Sequence, residues 1–292
     1  MSMPPALSGI GLRLLAVLLI TAMSAVIHAV GTRAALGQII FWRSFVALVP
    51  IVLYMALRSD LPRALSTRHP RLHLTRGLFG AASMAFSFVS LIYLPVANAQ
   101  ALAYLAPVLT LPLAALHLGE RLRPVTLSAV TLGFAGALLI LWQSLDMGQT
   151  AWIGVAAGLA YALTMAVVRV HIKAMTRTES AATIAFYFAV ICAGIGLCTL
   201  PFGWPQLTTP DLMLLTASGL LGGLAHIAST KAVARAPVST IAPFDFTGLI
   251  WAIGFDAVLF AILPTPLAIA GMGTILIAGL LVIGQELRPR TP

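Results

Sequence analysis

Ten apolar runs, each close to twenty residues and separated by short breaks, dominate this chain. They lie at roughly 10–30, 38–57, 73–93, 97–117, 125–142, 151–170, 181–200, 211–230, 238–260 and 267–286. The breaks carry turn chemistry, as in Arg58-Ser59-Asp60-Leu61-Pro62, Pro201-Phe202-Gly203-Trp204-Pro205 and Leu263-Pro264-Thr265-Pro266. A helix needs about 20 apolar residues to cross a bilayer. Of the 292 residues, 60% are hydrophobic and 9% charged, against about 25% charged in soluble domains. Such a chain cannot clothe a water-facing surface, so lipid is its solvent. Backbone polar groups in lipid must be satisfied within the segment. The expected fold is an all-α integral membrane protein with ten transmembrane helices.

The basic residues test that count. With the N-terminus placed in the cytoplasm, fifteen of the seventeen Lys and Arg fall on the inner side. They are Arg13; Arg58, Arg63, Arg68, Arg71 and Arg76; Arg121 and Arg123; Arg169, Lys173 and Arg177; Lys231 and Arg235; Arg288 and Arg290. Arg33 falls in an outer turn and Arg43 inside a span. Cytoplasmic loops carry such an excess, and nine or eleven spans would scramble it. Both termini are therefore expected in the cytoplasm, in a multi-pass protein of the inner (plasma) membrane. The net charge of +9 is explained by topology, and nucleic acid is not expected as a partner. Arg13 and the apolar residues after it could open a signal peptide. The run continues through Val30, which suits an uncleaved first helix better.

A repeat runs through the chain. Pro95-Val96 recurs as Pro237-Val238 and Pro124 as Pro266, both at an offset of 142 residues. Long internal repeats fix architecture. The halves are residues 1–145 and 146–292, five helices each. Five is odd, so the halves enter the membrane in opposite senses. Inverted repeats of this kind mark secondary transporters, which rock one half against the other around a site near the midplane.

Polar groups inside the spans are the candidate chemistry, since a charge in hydrocarbon costs a few kcal/mol or more. Arg43 lies about 9 Å below the outer end of its span and Asp256 about 6 Å below the outer end of the ninth, at 1.5 Å per residue. Similar depth lets them pair, as a structural ion pair, or else a cap, that fixes the outer half of the fold. The competing role for Arg43 is a gate or a contact to a substrate carboxylate. Asp245 is deeper, two residues after Pro243, and could bind an amine, carry a proton or accept bonds from a neighbouring helix. Gln100 and Tyr104 share a helix face, while Asn98 fits a helix N-cap. The offset of 142 maps Tyr104 onto Phe246, near Trp251. Aromatic residues at matched positions suggest a central cavity; ordinary packing explains them equally well. Ser83, His28, Tyr161 and His226 complete the candidate pathway, although each alone more often makes an interhelical hydrogen bond. Pro107, Pro112 and Pro243 are candidate hinges, because proline frees a carbonyl and bends a helix.

Other features carry less. Cys192 and Cys198 are about 9 Å apart along a helix, too far for a disulfide, and read as two small buried hydrophobes. His69 and His73 lack a third ligand, so no metal is expected. Gly154/Gly158 and Gly219/Gly223 are small-xxx-small pairs that suit packing within a monomer, with dimerisation the alternative. No phosphate loop, Gly-x-Ser-x-Gly or His-Glu-x-x-His occurs, so neither enzyme activity nor a cofactor is expected.

Several motifs carry a resemblance. They are Phe41-Trp42-Arg43, Leu94-Pro95-Val96-Ala97-Asn98-Ala99 with Pro107, Leu118-Gly119-Glu120-Arg121-Leu122, Gly133 with Gly136, and Leu263-Pro264-Thr265-Pro266-Leu267-Ala268. In their order and spacing the sequence resembles the drug/metabolite transporter superfamily, in its ten-helix form of two EamA-type repeats. Within it the chain is most similar to YddG-like amino acid exporters. The resemblance implies a secondary transporter that exports small metabolites, aromatic or other neutral amino acids first, by alternating access. Its partners are a small-molecule substrate and the lipid bilayer. An exporter of drugs or nucleotide-type metabolites is one alternative, and a non-transporting membrane structural protein is another. The chain departs from the pattern at Ala261-Ile262, where many members have Gly-Glu. The first span lacks the carboxylate of the small four-helix multidrug relatives, so coupling would fall to Asp245, Asp256 or no group at all.

Overall fold

The computed structural model describes residues 5–57, 61, 65–67, 69–106, 108–110, 124–146, 150–175, 178–236 and 242–287, and among these there is no strand. Ten α-helices of eight residues or more have described bounds. They are α1 (Pro5–Val30), α2 (Leu36–Leu57), α3 (Pro70–Tyr93), α4 (Val96–Ala103), α5 (Pro124–Asp146), α6 (Ala151–Met175), α7 (Ala181–Leu197), α8 (Thr209–Arg235), α9 (Thr247–Phe260) and α10 (Pro266–Leu287). Six stretches are long and apolar enough to cross a membrane: Leu7–Arg33, Leu36–Leu57, Pro70–Tyr93, Ala151–Arg169, Ala182–Phe202 and Thr209–Ala232. Apolar helical stretches at Val96–Thr110, Leu127–Ile140 and Pro266–Leu281 are shorter. The hinge residues Pro107 and Pro112, the turn at 118–122 and Pro237-Val238 lie outside the described residues.

Helix starts follow turn chemistry. Proline occupies the first turn of α3 and α8, where its missing N–H costs nothing. Ser180 and Thr208 cap α7 and α8, their hydroxyls accepting from the N–H groups of Thr183 and Asp211. Two predicted spans are not continuous helices. The helix opening at Val96 has its first segment end at Ala103; Tyr104, with helical backbone angles, forms a one-residue turn, and helix resumes at Leu105. The ninth begins as a 3-10 turn, Ala242–Phe246, and becomes α-helical only from Thr247. Pro243 lies in that turn.

The helices pack in matched pairs. α2 lies on α7, α5 on α10 and α4 on α9; α1 lies on α8 as α6 lies on α3, and α9 on α1 as α4 on α6. Raising or lowering every helix number by five reproduces these pairs. Glycine sets the closest crossings. A Cβ at Gly196 of α7 would stand 2.6 Å from the Phe41 nitrogen and 2.7 Å from the Gly37 carbonyl oxygen of α2. Gly219 and Gly223 of α8 meet the Arg43 and Ala47 carbonyls of α2, each at 3.0 Å from such a Cβ. Gly154 and Gly158 of α6 meet Leu94 and Leu102. Both small-xxx-small pairs are used inside the chain.

Of the cysteines, Cys192 is buried, but Cys198 is exposed at the end of α7, so the expectation of two buried thiols holds for only one. The end of α9 explains a sequence oddity. Ala261 has φ 54°, and the Ile262 N–H donates to the Asp256 carbonyl at 3.0 Å. The Ala261 N–H closes on the same carbonyl, so both wide turns rest on a left-handed residue at the helix end, a position usually taken by Gly. The left-handed region costs an L-residue about 1–2 kcal/mol, and Gly gives back about 0.4–1 kcal/mol through the unfolded chain. Ala261→Gly is therefore expected to stabilise the protein by about 0.5–1 kcal/mol, read as a higher midpoint in thermal unfolding of detergent-purified protein.

Candidate functional site

The interrupted helices meet. Tyr104 closes α4, Phe246 closes the 3-10 turn before α9, and their rings stand edge to face with centroids 5.0 Å apart. The Tyr104 hydroxyl donates to the Asp245 carbonyl at 2.7 Å. This contact needs room: a Cβ on Gly248 would come within 2.5 Å of Tyr104 Oη and 3.4 Å of Gln100 Nε2, and a Cβ on Gly279 of α10 would enter the Phe246 ring. Beside it an apolar cavity of about 430 Å³ is lined by Phe246, Leu249, Ile253, Met272 and Leu276, among others, and opens at the surface beside the exposed Ile250 and Ile269. Non-helical backbone at membrane depth is tolerated where it is buried or lines a cavity. Trp251 is not among the lining residues; it is 40% exposed on α9. Its neighbours Ile250 and Ile253 face the cavity instead.

Asp245 is an ion-pair partner. Its carboxylate accepts from Arg13 Nε at one oxygen and from Nη2 at the other, the latter at 2.6 Å. Arg13 Nη1 also donates to Ser229 of α8. The pair thus joins α1, α8 and the 3-10 turn in one bidentate contact, the geometry guanidinium and carboxylate favour. The sequence reading counted Arg13 among the loop cations. It stands inside the first apolar run, four residues into it, and that depth was the available signal.

Asp256 and Arg43 do not pair. The Asp256 carboxylate accepts from the backbone N–H of Val96 at 2.9 Å and of Ala97 at 2.7 Å. It caps α4 from across the bundle and is 1% exposed. The Asp256 cap corrects two expectations, the ion pair and Asn98 as N-cap. Pro95 holds the N-cap position of α4 and offers no side-chain acceptor, so α9 supplies one. Asn98 is buried within the helix.

The remaining candidates are interhelical contacts. His28 Nδ1 meets the Leu91 carbonyl, and its ring stands edge to face with Phe260. Ser83 Oγ lies 3.2 Å from Thr164 Oγ1, joining α3 to α6. Tyr161 is half-buried on α6. His226 lies beside Ile51 and Tyr54 in a small crevice between α2, α7 and α8. His73 is not in an open loop: it is buried on α3, 3.7 Å from Glu179. Arg76 is buried too, over the Phe188 ring of α7 at 4.2 Å. The sequence alone places it among the inner-side cations, near the start of the third run.

Comparison with known proteins fits this geometry. The profile of the EamA-like transporter family matches residues 7–142. A riboflavin transporter of Rhizobium johnstonii is 30% identical over 227 residues, 77% of this chain and 74% of its own. The chain belongs to the EamA-like transporter family. The pseudopaline exporter CntI of Pseudomonas aeruginosa is 26% identical over 275 residues, 93% of this chain and 94% of its own. An S-adenosylmethionine uptake transporter of Rickettsia conorii is 25% identical over 287 residues, 96% of this chain and 94% of its own. One protein of known crystal structure aligns over 97% of this chain and 99% of its own, with a TM-score of 0.66 at 20% identity, a likeness of fold. This EamA-like protein is therefore a multi-pass membrane transporter.

In this EamA-like transporter the Asp256 cap has a measurable weight. Asp256→Ala leaves two buried N–H groups unsatisfied and is expected to destabilise by about 2–4 kcal/mol. Asp256→Asn keeps one acceptor oxygen and is expected to cost less. Thermal unfolding of the two variants in the same detergent checks the order.

Proposed function

We propose that this transporter exports small metabolites, aromatic or other neutral amino acids first, from the cytoplasm by alternating access. The observation that carries the reading is the meeting of two interrupted helices at Tyr104 and Phe246, beside an apolar cavity. Transporter sites lie where discontinuous helices meet between repeats. An apolar cavity with a few polar groups suits a neutral or aromatic side chain.

The architecture we infer has ten spans in two inverted repeats, residues 1–145 and 146–292, with both termini in the cytoplasm. Support comes from the matched helix pairs and from the distribution of Lys and Arg. The protein functions as a monomer in the inner membrane. In this orientation Arg13 and Asp245 form the inner gate and Asp256 anchors the outer end of α4. Opening inward requires breaking the bidentate pair and parting α1 and α8 from the turn before α9. Pro243 lies in that turn, and Pro107 and Pro112 are the proposed hinges on the facing half.

A second reading has one observation behind it. Relatives named for riboflavin and S-adenosylmethionine transport favour a larger, nucleotide-type substrate. Liposomes holding the purified protein separate the two. Flux of labelled phenylalanine or leucine above empty vesicles is expected. Flux of labelled riboflavin or S-adenosylmethionine with none for any amino acid would overturn the substrate class. Tyr104→Ala is expected to lower flux at least tenfold while leaving the yield of folded protein within a factor of two. Equal loss of both would make the ring a packing element only. The doubly exchanged Arg13→Asp, Asp245→Arg variant is expected to restore flux lost in either single variant, because the gate needs the pair and not its polarity.

A further inference from the structure

Two arginines sit in the interior without a counter-charge. Arg43 of α2 is 7% exposed and Arg76 of α3 is 8% exposed. The Nε of Arg43, and both Nε and Nη1 of Arg76, have no hydrogen-bond partner. Their helices are neighbours: α2 touches α3 at Ser44 and Met84, α8 approaches Arg43 at Gly222, and α7 places Phe188 under Arg76. Four helices therefore meet around the two arginines. Glycines clear the space around them. A Cβ on Gly222 would stand 3.3 Å from both Nε and Nη2 of Arg43, and a Cβ on Gly80 would collide with Arg76 Nη1.

The chain does not neutralise this pair among its described residues. Glu179 faces His73 and Thr67, Asp211 faces Arg33, Asp245 faces Arg13, and Asp256 holds the N–H groups of Val96 and Ala97. The other four acidic residues, Asp60, Glu120, Asp146 and Glu286, stand in or beside the breaks between apolar runs and at the end of the last one. Phe188 offers Arg76 its ring face, which softens the burial but leaves the in-plane donors open. A buried charge left alone is among the costliest features a fold can hold. Intramembrane ionisable groups of this kind mark substrate and ion pathways.

We propose that Arg43 and Arg76 form the binding site for the carboxylate group of an organic anion, the charged end of the transported substrate. The site deepens the transporter reading above and rests on it. Planar guanidinium forks match a carboxylate bidentately. Two such forks, one of them stacked on an aromatic ring, hold a flat monoanion or dianion. The apolar part of the substrate then reaches along the bundle toward the cavity at Phe246.

The test uses the full chain in lipid nanodiscs and reads thermal unfolding, so no transport assay is needed. The probes are 3-phenylpropionate and its uncharged amide, 3-phenylpropanamide, with sodium chloride and sodium phosphate at equal ionic strength. The acid is expected to raise the melting temperature by about 2–4 °C, as ligand binding to the native state requires. The amide, chloride and phosphate are expected to leave it unchanged. Arg43→Met and Arg76→Met should each abolish the shift and melt no lower than wild type without ligand, because each removes an unneutralised buried charge. Arg43→Lys should keep part of the shift. Equal shifts with acid and amide, or no shift with the acid, overturn the proposal in wild type alone, whatever the variants do. A shift with chloride or phosphate overturns the carboxylate class. A retained acid shift with no amino acid flux leaves the site standing and removes only the amino acid reading. Amino acid flux with no acid shift does the reverse.

Discussion

A charge in hydrocarbon must find a partner, and this structure is arranged around how few its charges find. Asp256 is answered by two backbone N–H groups at the start of α4. Asp245 is answered by one edge of the Arg13 guanidinium, through Nε and Nη2. Each bond ties one half of the chain to the other, and both involve the segment from Ala242 to Phe260. Arg43 and Arg76 have no such answer among the described residues. That contrast between satisfied carboxylates and two open arginines is what the proposed anion site rests on.

The interrupted helices follow from the same constraint. α4 starts at a proline that offers no side-chain cap, so it depends on Asp256 of α9. α9 starts after a 3-10 turn whose Asp245 carbonyl takes the Tyr104 hydroxyl of α4. Each helix completes the other at one end. Broken backbone in a bilayer needs partners of this kind. Such contacts have two satisfied arrangements only if the partners can be exchanged for water or substrate, which is what a transport cycle requires.

Much of the fold was legible in the sequence. Run lengths predicted where the helices lie, because the backbone in lipid has little choice but helix. The match of Tyr104 to Phe246 at an offset of 142 left a central cavity and ordinary packing equally open, and the rings do pack. Partner choice was harder to read. Arg13 and Arg76 lie near the ends of apolar runs, where snorkelling to the interface is the usual fate of a cation. Whether such a residue turns inward depends on which helix face meets which neighbour, and close approaches at glycines help to set that: Gly80 one turn along α3 from Arg76, and Gly248 of α9 against Val17 of α1. For Asp256, depth along the run does not distinguish a guanidinium from two backbone N–H groups as partner. Trp251 shows the same limit: it is next to Ile250 on α9, which lines the cavity, yet does not line it itself.

The central claim is a water-reachable site between α4 and α9 that opens to each side in turn. A single cysteine at Gln100, in a chain carrying Cys192→Ser and Cys198→Ser, reports on it without knowledge of the substrate. Vesicles of both orientations are treated with a membrane-impermeant thiol reagent. The account predicts labelling from either side. Labelling from neither side, or from one side only under every condition, would contradict it.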